Sequence, residues 1–181
     1  YASTEELIEL SKSASEYGGM YISHLRSEGA KLLEALDELI TISREADIPA
    51  EIYHLKASRE PNWPKLDEVI SIVEDARAEG LQITADIYTY NASSTGLTGV
   101  IPTWVQEGGH DAWIKRMKDP SVRPRLLNDI REQLAEQPPE GILMVGFNTP
   151  EMSKKYLAKT VAEAAKMRGQ SPEEAIIDMV I

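Results

Sequence analysis

Three times in the first half of the chain, apolar residues recur at helical spacing and a short β-prone run follows. Ser3, with Glu6 three residues on, has the capping-box pattern, and Leu7, Leu10, Ala14 and Tyr17 continue it until Gly18-Gly19 stops the helix. Residues 20–25 then read as a strand. A second helix over residues 30–45 carries Leu32, Leu33, Leu36, Leu39 and Ile40 on one face. Pro49 separates it from a second strand over residues 51–55. A third helix is expected to start near Pro64, a favoured first-turn residue, and carries Leu66, Val69, Ile70 and Val73. Gly80 ends it, and residues 81–88 read as a third strand. Strands alternating with helices imply an α/β fold with parallel pairing. A doubly wound sheet and a (β/α)8 barrel share this pattern, and periodicity does not separate them. No glycine-rich phosphate loop follows any of the three strands, which weakens the nucleotide-binding option.

The rhythm changes from Gly96, where Gly, Pro and Trp cluster through Trp104. Helices are expected near residues 111–118 and 121–135, then a short apolar run over 142–145. A long helix over 151–168 follows, and Ser171-Pro172-Glu173-Glu174 supplies a final capping box. The chain therefore divides into residues 1–95, built of alternating helices and strands, and residues 96–181, a mainly helical insertion that returns toward the sheet.

Composition narrows the partners. The chain of 181 residues has a formal net charge of −11, which argues against affinity for nucleic acid or an anionic membrane. It contains no cysteine, so any metal must be held by His, Asp, Glu or a modified Lys. No apolar run approaches the ~20 residues that span a bilayer. The first residues show no signal-peptide pattern, and a cytoplasmic location is the default expectation. The absence of an initial Met and the apolar end, Ile176 to Ile181, suggest a piece of something longer.

The candidate chemistry lies at the strand ends. His24 and His54 occupy matched positions near the carboxyl ends of consecutive strands, where a parallel barrel builds its active site. Neighbouring strands lie ~4.8 Å apart, so two such imidazoles can share a metal ion; the plain alternative is two structural histidines. Strand alternation places Arg26 and Glu28 on the side of His24, as a possible supporting pair, and Lys56 on the side of His54, as a possible partner for a substrate carboxylate. Asp86, in a mostly apolar strand, needs a partner: a metal, a ligating residue or a backbone cap. Tyr88 and Tyr90 share a face, where a hydroxyl can stabilise an oxyanion, and Ser94 on the following loop can donate to a carboxylate. Core packing or turn capping is the ordinary reading of all three. His110 falls at a helix start and reads as exposed and structural.

These segments together resemble the N-acyl-D-amino-acid deacylase (D-aminoacylase) family of the amidohydrolase superfamily. The matching stretches are Tyr21-Ile22-Ser23-His24-Leu25-Arg26-Ser27-Glu28-Gly29, His54-Leu55-Lys56, and the run from Ile83 through Asp86, Tyr88 and Ser94 to Thr95. Phe147-Asn148-Thr149-Pro150-Glu151 and Lys159-Thr160-Val161-Ala162-Glu163 also look like family sequence. The resemblance implies a partial (β/α)8 barrel, its strands 5–7, with the helical insertion after the last of them. It implies that His24 and His54 are zinc ligands and that Lys56, Tyr88 and Ser94 contact the substrate. Tyr88 would be catalytic, stabilising the oxyanion; a supporting role for Arg26, Glu28 and Asp86 rests on their spacing, against a loop salt bridge for the first two and a structural role for the third. The implied reaction hydrolyses a small N-acyl amino acid to a carboxylate and a D-amino acid.

The family's His-x-His pair, bridging ligand and catalytic Asp have no counterpart here and are expected before Tyr1 and after Ile181. A complete barrel needs ~250 residues. The chain alone is therefore expected to be inactive, to bind zinc weakly or not at all, and to self-associate through open strand edges. Thr89 stands where the family often has Pro. Two alternatives remain: a cyclic-amide hydrolase of the dihydroorotase or hydantoinase kind, and a non-catalytic scaffold.

Overall fold

The computed structural model describes residues 2–181, which divide into two compact units, one ending at Asn91 and one running Ala92–Ile181. The first unit contains helix α1 (Thr4–Ser15), strand β1 (Tyr21–Ser23), helix α2 (Leu32–Ala46), strand β2 (Ala50–Ile52), helix α3 (Leu66–Ala78) and strand β3 (Ile83–Ala85). The strands form one parallel sheet in the order β1-β2-β3, with Tyr21, Ala50 and Ile83 in register, and likewise Ser23, Ile52 and Ala85. Ala50, Ile52 and Ile83 pack against Leu32, Leu36, Leu39 and Ile40 of α2 and Val69, Val73 and Ala76 of α3. Each large aliphatic side chain buried here contributes about 1.5–3 kcal/mol.

The opposite face is open. Ile22 is 44% exposed, and Thr84 Oγ1, in register with it, donates to Glu51 Oε2 at 2.8 Å across that face. Parallel sheets normally bury both faces, so this one is half covered within its own unit.

The strands are three residues each, shorter than the hydrophobic runs suggest. Pro64 lies inside a 3-10 turn (Glu60–Lys65), and α3 begins only at Leu66. Ser3 caps α1 through its side chain, which accepts from the Glu6 N–H at 3.2 Å. The apolar stripe of α1 does not pack, however: Leu10 and Tyr17 are 63% and 87% exposed, and the buried residue is Ser11. Thr4 Oγ1 donates to Glu38 Oε1 of α2, and Ser15 Oγ to the Asp47 carbonyl, so polar bonds tie α1 to α2. The helix stops where Gly18 takes φ +68° and the Gly19 N–H reaches the Ala14 carbonyl at 2.9 Å. A Cβ on Gly19 would lie 2.8 Å from that carbonyl oxygen.

The second unit is helical, with α4 (His110–Met117), α5 (Arg123–Glu136), α6 (Pro150–Tyr156), α7 (Val161–Arg168) and α8 (Pro172–Val180). Val105, Met117, Leu126, Ile130, Tyr156, Val161, Ile176 and Ile177 form its core, with Trp104 and Trp113 packed at the margin. The single helix expected over residues 151–168 is two. Ala158 takes φ +59°, and its N–H bonds the Met144 carbonyl at 2.8 Å. Thr160 then starts α7 with a capping box to Glu163, and Leu143 bridges Thr160 in antiparallel fashion. The apolar run 142–145 thus interrupts the helix by pairing with the segment between α6 and α7.

Candidate metal centre

The sheet register and the turn after β2 bring the two histidines together. The Tyr53 N–H bonds the Ser23 carbonyl at 3.0 Å and the Asp86 N–H bonds the Ile52 carbonyl at 3.1 Å. His24, Tyr53 and Asp86 therefore stand side by side just beyond the three strands, and His54 follows in a turn. The rings of His24 and His54 lie 5.8 Å apart, centroid to centroid, with planes 22° from parallel.

His54 takes φ +39°, a left-handed conformation uncommon for a residue with a Cβ. Two bonds from the next strand hold it there. Asp86 Oδ1 accepts the His54 N–H at 2.6 Å, and the Asp86 carbonyl accepts the Leu55 N–H at 2.9 Å. Asp86 thus acts on the histidine's backbone, as a cap.

From the other side comes Glu28. Its Oε1 lies 2.8 Å from His54 Nδ1 and 2.6 Å from Lys56 Nζ. Lys56 Nζ also stands 2.9 Å from His54 Nδ1 and donates to the His54 carbonyl at 3.2 Å. Ser58 Oγ donates to Glu28 Oε2 at 3.2 Å, and the Ser58 N–H to the Glu28 carbonyl at 2.8 Å. The Lys56 ammonium lies 5.8 Å from the centre of the half-buried Tyr88 ring. His24, His54, Lys56, Glu28, Asp86 and Tyr88 accordingly cluster at the carboxyl ends of the strands.

Arg26 stands apart from that cluster and does not pair with Glu28. Its Nε and Nη2 each donate to a Glu38 oxygen at 2.8 Å, and Nη2 also reaches the Ala2 carbonyl at 3.0 Å. The Arg26 hydrogen bond holds the Glu38 carboxyl below its ordinary range, against burial and with help from Thr4. Strand alternation was the reason to group Arg26 with Glu28, and it does not apply, because β1 ends at Ser23. Ser94 is exposed and belongs to the second unit, and Tyr90 is 79% exposed. His110 is 73% exposed at its side chain, with its ring edge-on to Trp113. Local spacing gave no sign of Ser58 as a partner of Glu28, nor of Glu38 as the partner of Arg26.

The donors suit zinc in kind and separation but not in number. Two imidazoles sharing a tetrahedral ion stand about 5–6 Å apart, centre to centre, given a Zn–N bond of ~2.1 Å. The observed 5.8 Å meets that. Among the described residues, no group of three or more His, Cys, Asp or Glu is placed to hold a metal ion.

No family model matches the chain. It is 40% identical over 96 residues to the D-aminoacylase of Alcaligenes xylosoxydans xylosoxydans, a match that takes in 53% of this chain and 20% of that one. The chain is homologous to part of D-aminoacylase. A crystal structure of D-aminoacylase, described as defining a subset of amidohydrolases, superposes with a TM-score of 0.67 at 26% identity, over 98% of this chain and 30% of that one. The N-acyl-D-glutamate deacylase of Bordetella bronchiseptica, solved with zinc and a phosphonate mimic of the tetrahedral intermediate, superposes with a TM-score of 0.71. At 21% identity, over 98% of this chain and 30% of that one, it shows the fold alone. This chain therefore spans about a fifth of the curated D-aminoacylase and under a third of the solved ones. Among the described residues, no helix is long and apolar enough to cross a membrane.

Proposed function

We propose that this chain is the central part, strands 5–7, of a zinc-dependent amidohydrolase barrel that cleaves N-acyl-D-amino acids to a carboxylate and a free D-amino acid. The observation that carries the reading is the His24–His54 pair, 5.8 Å apart just beyond the carboxyl ends of adjacent parallel strands, with Lys56 beside it. The homology to D-aminoacylase gives the pair its chemical context. Residues 1–95 belong to the barrel in this reading, and residues 96–181 are an insertion.

His24 and His54 would hold the metal, with the other ligands coming from elsewhere in a longer protein. Zinc in such a site activates water and polarises the scissile carbonyl. The Lys56 ammonium, 20% exposed at its side chain, binds the carboxylate of the amino acid and so fixes the acyl nitrogen relative to the histidines. Tyr88, near Lys56, donates its hydroxyl to the oxyanion that forms as the carbonyl is attacked.

The test uses a longer protein carrying this segment, loaded with zinc and offered racemic N-acetyl amino acids, the released product being resolved by chirality. Release of the D-amino acid alone is expected. Release of neither enantiomer by folded, zinc-bound protein would overturn the reading and make hydantoins and dihydroorotate the next panel. The 181-residue chain by itself is expected to show no turnover and only weak zinc binding, since catalytic zinc sites take three protein ligands. Tight stoichiometric zinc or measurable amidase activity on that chain would contradict this.

A further inference from the structure

We propose that the free edge of the run 142–145 is a pairing edge for a second copy of this chain. The second copy adds the same run antiparallel to the first, Leu143 of each opposite Val145 of the other. The edge lies in the second unit and is independent of any metal at His24 and His54.

The run is one side of a two-stranded ribbon. The Met144 N–H bonds the Lys159 carbonyl at 2.9 Å, and the Met144 carbonyl accepts from the Ala158 N–H at 2.8 Å. The Val161 N–H reaches the Ile142 carbonyl at 2.9 Å, and Leu143 stands opposite Thr160. Main-chain groups alternate in direction along a strand, so Leu143 and Val145 direct theirs away from residues 158–161. Among the described residues, nothing bonds the N–H or the carbonyl of either. Their side chains alternate as well. Met144 is buried in the core of the unit, whereas Leu143 and Val145 are 55% and 68% exposed. A row of unpaired donors and acceptors carrying apolar side chains is a template for an added strand.

The symmetry of the edge selects the occupant. Leu143 and Val145 each offer one donor and one acceptor. Set opposite each other in antiparallel register, the two residues exchange both N–H···O=C bonds, and a two-fold axis through Met144 repeats the pair. Their side chains then meet as an aliphatic cross-strand pair. No like charges meet in this register. Residues 141–150 include no charged side chain, in a chain where 27% of residues are charged, and Glu140 falls opposite Asn148. Edge strands are ordinarily guarded by Lys, Pro or an inward charge, and residues 141–149 contain none of these. An edge this short buries far less than the ~1,200 Å² of a stable interface, so the dimer is weak and forms only at high protein concentration.

The test is sedimentation velocity on the 181-residue chain over a concentration series reaching about 1 mM. Wild type is expected to pass from monomer to dimer. Leu143→Lys/Val145→Lys and Leu143→Glu/Val145→Glu each set like charges opposite one another, and each is expected to stay monomeric. Mixed in equal amounts, the two variants are expected to dimerise again, since every Lys then faces a Glu. The Lys variant also reduces the net negative charge of −11, so any association limited by overall repulsion would grow stronger in it. Both substitutions fall on exposed side chains, and circular dichroism checks that each variant is folded. A wild type that stays monomeric over the whole series overturns the proposal. So does a folded Lys variant that associates as wild type does, which would put the contact at the open edges of β1 and β3. A mixture of folded variants that stays monomeric overturns it equally.

Discussion

His54 shows what a single residue pays to stand at a strand end. Its φ of +39° is held by the Asp86 carboxylate on its N–H, so Asp86→Ala should release the turn as well as remove a bond. The expected cost is about 1 kcal/mol in a urea titration, with Asp86→Asn, which keeps an acceptor, close to wild type. Equal losses in the two variants would mean that charge, not capping, is the contribution of Asp86. The proximity of the histidines was legible because both follow β-prone runs, although the register sets His24 beside Tyr53 and it is the turn at His54 that brings the second ring back to the first. The partners were less so. Glu28 and Lys56 lie 28 residues apart and meet only through the pairing of β1 with β2. Alternation rightly set Lys56 beside His54, yet for another reason: the chain there is a turn, and the ammonium curls back to the His54 carbonyl. The same rule misplaced Arg26, whose partner Glu38 sits on a helix that no strand period can see.

Among the elements, those specified by local chemistry were legible and those specified by pairing were not. The capping box of α8 stood in the sequence as Ser171 and Glu174, and both of its bonds form. Ser171→Ala should cost about 0.5–2 kcal/mol, read as a lower thermal midpoint, and no change would show that the core contacts of Ile176 and Ile177 suffice. The stripe Leu32, Leu36, Leu39 and Ile40 likewise marked the buried face of α2, where Leu36→Ala should cost about 2–5 kcal/mol in denaturant unfolding. The split between α6 and α7 was not legible, because residues 151–168 suit a helix throughout. What breaks them is the long-range pairing of 142–145 with 158–161. The stripe on α1 misled for a related reason, since periodicity finds a face but not the partner that covers it.

At the scale of the whole molecule, charge governs acid stability. The chain carries 30 acidic and 19 basic residues, and several carboxylates are tied into pairs that matter to the fold. Asp178 accepts from Gln170 at 2.6 Å and Arg123 at 3.2 Å, with Arg168 at 3.8 Å. Burial alone would push its carboxyl up, but these hydrogen bonds and charges outweigh it and hold the group below its ordinary range. Glu173, buried against Arg131, is lowered by the same balance, and Glu38 is lowered chiefly by Arg26. A carboxyl that is more acidic when folded binds fewer protons in the native state than in the unfolded chain. Its stabilisation is complete above the unfolded value of about 4 and disappears as pH falls through the lower folded value. Asp178→Asn should therefore cost about 1–2 kcal/mol at neutral pH. Its gap from wild type should narrow as urea unfolding is repeated down to about pH 3. A gap that stayed constant across that range would mean that Asp178 acts through its shape and not its charge, and the account of acid stability would have to rest on Glu38 and Glu173 alone.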